Sequence, residues 1–128
     1  MLTLEQKDQL ATFCGWPRIQ PSGIRDGHII SYDAYSCYYG VIPIDKWHPD
    51  TSRDDCWPIL QRIEESGSWT QFFPTKAFTN WLTSTQIWQE HMIMIPADWM
   101  RLAMLVPPSV IVAAVLQIIE AKGGYAIQ

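Results

Sequence analysis

The stretch "SVIVAAVLQIIEAKGG", residues 109–124, contains the longest apolar run of the sequence and predicts a helix. Its apolar residues fall on nearly every side of a helix, and a glycine pair closes it. Past its first turn, its polar residues are Gln117, Glu120 and Lys122. A helix of this kind is buried on several faces or lies at a contact between subunits. The rest of the chain, or a second subunit, must therefore cover it.

Length and composition indicate one globular domain spanning residues 1–128. Hydrophobic residues make up 48% of the chain and charged residues 17%, enough apolar material for a real core. The nine lysines and arginines are scattered along a chain of net charge −4, which argues against binding to duplex nucleic acid. One small anionic ligand stays compatible with this charge, because it needs only two or three donors.

Neither a membrane nor an oxidising compartment is expected. The longest apolar run, from Val110 to Leu116 and on through Ile118-Ile119, is far shorter than the roughly 20 residues that a transmembrane helix needs. Three widely spaced cysteines without a C-x-x-C motif, and a polar "MLTLEQKDQL" start, are typical of a reduced cytoplasm. We expect no metal and no cofactor, since no ligand spacing recurs among the histidines and cysteines.

The first helix is predicted over residues 4–14. Thr3 and Gln6 have the spacing of a capping box, and Leu10, Phe13 and Cys14 form one apolar face. Gly15 is a typical helix end.

Residues 16–50 are broken by prolines and glycines, so only short elements are expected there. Asp26-Gly27 is the usual pair for a tight hairpin turn. The stretch "SYDAYSCYYGVIPI", residues 31–44, is rich in aromatic and β-branched residues but lacks clean alternation. It predicts either a short strand or an ordered loop packed by its own tyrosines.

A second helix follows in "WHPDTSRDDCWPILQRIEES", residues 47–66. Its apolar residues recur at helical spacing, and Gly67 ends the run. Two alternatives exist for its start. The helix begins near residue 51 and bends at an internal Pro58, or Pro58 is its first residue. We favour the bent helix.

The remaining segments complete the α+β prediction. "WTQFF", residues 69–73, alternates bulky and polar side chains and predicts a strand, and residues 86–95 predict a second strand. Residues 75–84 between them predict a helical turn or a strand extension, and Asp98 is expected to cap a short helix. The predicted fold is a small antiparallel sheet of two to four strands packed with three to four helices in a layered sandwich.

Three separated pieces resemble the phage ABA sandwich domain family. "FCGW" (13–16) is similar to that family's first helix exit, "PDTSRDDCWPIL" (49–60) to the start of its second helix, and "PPSVIVAAVL" (107–116) to its closing helix. The positions that match in the last two pieces are Pro49, Thr51, Trp57, Pro108, Ile111, Ala114 and Leu116. Pro58 stands where the family usually has glutamate. The resemblance implies a phage or prophage origin and an α+β layer, and it brings no catalytic residues.

The charged cluster at the start of the second helix has two interpretations. His48 oriented by Asp50 would be a base, but neighbours in a loop need not face each other. We favour the simpler one, in which Asp50 or Ser52 caps the helix and the acidic first turn suits its positive end. Cys37 is the other candidate for a reactive side chain, whereas Cys14 and Cys56 fall on apolar faces.

Aromatic residues clustered in the irregular segment are the remaining candidates for a binding surface, because loops held by a scaffold often bind and aromatic rings suit both nucleobases and proteins. The predicted binding residues are Trp16, Tyr32, Tyr35, Tyr38, Tyr39, Trp47, His48 and Arg53. The alternative is a loop held in place by its own rings.

Three functional hypotheses follow. The first is a non-enzymatic phage or prophage accessory protein of the host cytoplasm, which binds a host protein or a small signalling nucleotide and inhibits host defence. The second is a small enzyme using Cys37 or His48. The third is a structural homo-oligomer of the virion formed through the 109–121 helix.

Overall fold

The computed structural model of the protein describes residues 2–19, 23–25, 27–30, 33–37, 40–84 and 105–122, with the backbone alone for 23–25 and 28–30. The strand predicted for residues 86–95, the helix capped by Asp98 and the closing glycine pair at 123–124 lie outside these residues.

Helix α1 (Leu4–Phe13) begins and ends where the sequence predicts. The Thr3 hydroxyl accepts a hydrogen bond of 3.1 Å from the backbone N–H of Gln6, and the Gln6 side chain accepts one of 2.9 Å from the backbone N–H of Thr3. This reciprocal pair satisfies two N–H groups that a helix start otherwise leaves free. Leu10 and Ala11 are its buried residues.

Five short strands follow, in two groups: β1 (Arg18–Ile19), β2 (Gly23–Arg25), β3 (His28–Ile30), β4 (Ala34–Cys37) and β5 (Gly40–Pro43). β1, β4 and β5 form an antiparallel sheet in the order β1-β4-β5. The segment left open as strand or loop is therefore largely a hairpin of two strands. β2 and β3 form the second hairpin, and the positive φ of Gly27 (80°) places its turn where the Asp26-Gly27 pair predicts it.

Helix α2 (Arg53–Ser66) runs continuously through Pro58, as the favoured alternative predicts. The Ser52 hydroxyl caps it by accepting a 3.3 Å hydrogen bond from the backbone N–H of Asp55. Its buried face repeats at helical spacing through Cys56, Ile59, Leu60 and Ile63. Gly67 then turns the chain in the left-handed conformation (φ 67°), which favours glycine.

The strand predicted for residues 69–73 is wrong. This segment forms a short helix, α3 (Trp69–Phe72), and residues 75–84 form helix α4 (Lys76–Ser84) rather than a strand extension. Trp69 and Phe72 are three residues apart, so a helical turn brings their rings to 5.5 Å on one side. Phe72 also packs at 5.2 Å on Phe78 of α4. These ring contacts stabilise α3 and α4 together. The contact of Trp69 with Phe72 depends on the spacing of a helical turn and would be absent in a strand, where the two side chains point to opposite faces.

The last helix, α5 (Pro108–Ala121), contacts α1, α2, α3 and α4. Its buried residues are Ile111, Val112, Ala114, Val115, Ile118 and Ile119. The prediction of burial on several faces is confirmed, and the other helices of the same chain provide the cover. A second subunit is therefore not required to bury this helix.

One hydrophobic cluster joins these helices to the sheet, with Tyr35 of β4 in the same buried set as Leu10 and Ile111. The predicted α+β class is confirmed by this arrangement of helices and a small antiparallel sheet. Within the residues that the structure describes, no helix is long and apolar enough to cross a membrane.

Candidate functional site

The charged cluster before α2 serves to start that helix. Asp55 in the first turn accepts a 2.8 Å hydrogen bond through its carboxylate from the backbone N–H of His48. The indole N–H of Trp47 donates to the backbone carbonyl of Asp55 at 3.1 Å. With Ser52 as the cap, these bonds fix the loop against the helix end, and the capping interpretation is confirmed.

Among the residues that the structure describes, neither candidate reactive side chain contacts a carboxylate. His48 is exposed, and its imidazole makes no hydrogen bond with the residues that the structure describes. Cys37 is half-buried at the end of β4, opposite Gly40 of β5. In the described part of the chain neither the imidazole of His48 nor the thiol of Cys37 lies within hydrogen-bonding reach of a carboxylate, so the geometry does not support a catalytic role for either side chain.

The predicted aromatic surface lies partly in the core. Trp47 and Tyr35 are 0% and 1% exposed, and their rings meet edge to face at 5.5 Å. Trp16 is half-buried and packs on Trp47 at 5.3 Å. The rings of Tyr35 and Trp47 therefore offer no surface to a partner, because they hold the loop in place. Arg53 is exposed at the first residue of α2. Tyr32, Tyr38 and Tyr39 lie outside the described residues.

A polar network joins the sheet to α1 beside these rings. The hydroxyl of Tyr35 donates to Oδ1 of Asp8 at 2.5 Å, and the guanidinium of Arg18 lies 3.3 Å from Oδ2 of the same carboxylate. Arg18 also lies 3.4 Å from Oδ1 of Asp33, close enough for an ion pair although not aligned as a hydrogen bond. Burial, and then the bond to Asp8, raises the pKa of Tyr35. A small pocket of about 200 Å³ lies beside this network. Arg18 lines it, and the charge of Arg18 is already paired with the carboxylates of Asp8 and Asp33.

Two of the three thiols are inert at neutral pH. Burial raises the pKa of both Cys14 and Cys56 to about 12 from an ordinary value of 9.0. The positive charge of Arg62 only partly opposes this for Cys14, and that of Arg53 only partly for Cys56. Both cysteines belong to or pack against the hydrophobic cluster, so they serve as small core residues.

An open groove with a volume of about 610 Å³ lies at the end of α5. We call it the α5 groove. One wall is Gln71 and the turn before α4, residues 74–76, and the other is residues 117–118 and 120–122 of the closing helix. Its volume is within the range of about 300–1,000 Å³ found for small-molecule sites.

Unpaired polar groups line the α5 groove above an apolar floor. In the described part of the chain, the ammonium groups of Lys76 and Lys122 have no hydrogen-bond or ion-pair partner. Oε1 of Gln117 accepts a 3.0 Å hydrogen bond from the backbone N–H of Ala77, which fixes its amide and leaves the NH₂ group free to donate. Ile118 and Ala121 contribute apolar surface. The arrangement can bind an anion next to an apolar group.

The sequence indicates the polar residues of one wall of this groove, but not that they line a cavity. Gln117, Glu120 and Lys122 are the polar residues of an otherwise apolar helix, and all three line the cavity. The available signal was the presence of three polar residues near the end of an otherwise apolar helix. The opposite wall could not be assigned, because the contact between Gln117 and Ala77 spans 40 residues.

No protein-family model, curated protein or solved structure matches the chain. The resemblance to the phage ABA sandwich family therefore stays a prediction. Among the residues that the structure describes, no group of three or more histidine, cysteine, aspartate or glutamate side chains is placed to hold a metal ion.

Proposed function

We propose that this protein is a non-enzymatic phage or prophage accessory protein that binds a component of the host cytoplasm through the α5 groove and thereby inhibits a host defence. The observation that carries the proposal is the groove itself, where two unpaired ammonium groups and an oriented amide surround apolar surface. Concave sites with a few convergent polar groups are the usual form of a ligand site.

Two unpaired cations in one concave site support the groove as the binding site. Lys46 and Arg53 are also exposed and unpaired in the described part of the chain, but they do not line this groove. Three other cations are already engaged: Lys7 donates to the carbonyl of Ile44, Arg18 pairs with two aspartates, and Arg62 donates to the carbonyl of Phe13. On a chain of net charge −4, two free lysines in one cavity form a local positive region. Such a region attracts an anionic partner over a range of about 10 Å at ordinary ionic strength.

Infection assays test the proposal. The protein is expressed in bacterial strains that each carry one phage-defence system, and each strain is infected with a phage which that system blocks. We expect plaque counts to rise with the wild-type protein in at least one strain. The Lys76→Gln/Lys122→Gln double variant should lose this effect, because both groove cations are removed without a change in the core.

Lys46→Gln is the matched control, since Lys46 is an exposed lysine away from the groove. It should behave like the wild type. No rise in plaque counts in any strain, or a double variant as effective as the wild type, contradicts the proposal.

A further inference from the structure

We infer that the α5 groove binds a nucleotide, with the phosphate against Lys76 and Lys122 and the base on the apolar floor. This inference rests on the proposed function and names the class of ligand for the same site. It comes from three properties of the groove taken together: free cations, one carboxylate and flat apolar surface.

The cations select a phosphate. Lys76 begins α4 and Lys122 follows the last residue of α5, and both residues line the groove. Each carries three donors and a full charge. A phosphate with several anionic oxygens accepts from both at once, and such charge-assisted hydrogen bonds are about twice as strong as neutral ones. The free NH₂ of Gln117 supplies a further donor.

The carboxylate of Glu120 disfavours a ligand that is only an anion. It lines the same groove and, in the described part of the chain, pairs with no cation. Its negative charge offsets part of the attraction that Lys76 and Lys122 exert on a bare phosphate or sulfate. A ligand that also carries hydroxyl or amino donors turns Glu120 into an acceptor, which is how acidic side chains bind a ribose. The groove thus favours anionic oxygens and hydrogen-bond donors in one molecule.

The apolar floor accounts for the remaining part of the ligand. Pro74, Ile118 and Ala121 line the cavity and present no charged atom to it. A nucleobase is flat and mostly apolar on its faces, so it covers this surface. Its polar edge then faces solvent or the side-chain amides that line the groove. The volume of about 610 Å³ exceeds what a phosphate alone would fill.

Calorimetric titration of the full-length protein tests the inference. The probes are the four ribonucleoside 5′-monophosphates, a cyclic mononucleotide, a cyclic dinucleotide, the free nucleosides and inorganic phosphate. We expect saturable binding of at least one nucleotide, with its nucleoside and inorganic phosphate each weaker by about tenfold or more. The affinity should fall as salt is raised, because the contact with phosphate is ionic.

The variants locate the site. Lys76→Gln/Lys122→Gln should lower nucleotide affinity by about tenfold or more, and Lys46→Gln should leave it unchanged. Circular dichroism and thermal melting confirm that each variant is folded. Absence of nucleotide binding to the wild type, equal binding of inorganic phosphate and nucleotide, or an unaffected double variant would each overturn the inference.

The two proposals fail in distinguishable ways. If the double variant loses its effect on infection while the wild type binds no nucleotide, the groove binds a protein partner. The present inference is then wrong, and the proposed function stands. If the wild type binds a nucleotide but never changes infection, the ligand class stands and the anti-defence role is wrong.

Discussion

The hydroxyl of Tyr35 lies 2.5 Å from Oδ1 of Asp8, and this hydrogen bond joins the central strand of the sheet to the first helix. The other carboxylate oxygen of Asp8 is 3.3 Å from the guanidinium of Arg18, so one carboxylate serves two partners. Tyr35 is also packed on Trp47. The ring is held by the core at one end and by a charge at the other.

Replacing Tyr35 with phenylalanine removes the hydrogen bond and keeps the ring. Because the acceptor is charged, we expect the free energy of unfolding to fall by about 1.5–3 kcal/mol. Asp8→Asn should also destabilise the protein. Since both changes act on one bond, the double variant should lose less than the two single losses added together. Urea denaturation of the four proteins measures this, and simple additivity would show that the bond contributes nothing.

Pro58 lies inside α2 and cannot donate a backbone hydrogen bond to the carbonyl of Asp54. Pro58→Ala restores that donor within an otherwise regular helix. We expect the protein to become more stable by about 1 kcal/mol, less than the full penalty for a proline in a helix because the native helix already accommodates it. Thermal melting measures the change. Glu65→Ala, at an exposed position of the same helix, is the control and should have little effect; a lower melting temperature for Pro58→Ala contradicts the expectation.

The thiols of Cys14, which is half-buried, and Cys56, which is buried, should resist modification. Cys14 and Cys56 each have a pKa of about 12, so their reactive thiolate is almost absent at pH 8. We expect a disulfide reagent such as Ellman's to label at most one thiol per native chain, and three in urea. Cys37→Ala should abolish the native reaction. Rapid native labelling of two or more thiols would show that the core around α1 and α2 opens readily.

Alkaline pH should weaken the fold through the same two residues. In the unfolded chain these thiols ionise near pH 9, whereas in the folded protein they ionise near pH 12. Between these values the unfolded state has lost protons that the folded state keeps, so the stability present below pH 9 decreases as pH rises. We expect the melting temperature to fall from about pH 9 upward. A Cys14→Ala/Cys56→Ala variant should show a shallower fall, and an equal slope in both proteins would refute this origin.

Short-range signals in the sequence correctly predicted the helix ends that depend on residues close together in the chain. The Thr3–Gln6 capping box, the Ser52 cap and the Gly67 stop are each encoded within a few residues, and all three are present. The strand predicted for residues 69–73 was wrong because a pattern of only five residues fits both the two-residue period of a strand and the 3.6-residue period of a helix. The helical state of this segment depends on the contact of Phe72 with Phe78, which belongs to the next helix.

The candidate site could be predicted only in part, because its residues meet through the fold. Ala77 and Gln117, which join the two walls of the α5 groove, are 40 residues apart, and no short spacing indicates that they share a hydrogen bond. Of the predicted aromatic cluster, Trp16 and Tyr35 both pack on Trp47. Composition does not distinguish a binding surface from a packed interior, because a tryptophan such as Trp47 is suited to both. Only the fold shows that Trp47 is buried.

The packing of α5 has a consequence for the order in which the chain can fold. The helix made last contacts α1, which is made first, as well as the helices between them. Until residue 121 has left the ribosome, the surfaces of α1 and α2 that pack on α5 stay uncovered, although these two helices also contact each other. Contacts so distant along the chain form slowly. Chaperones and proteases of the cell therefore encounter these exposed surfaces before α5 has packed on them.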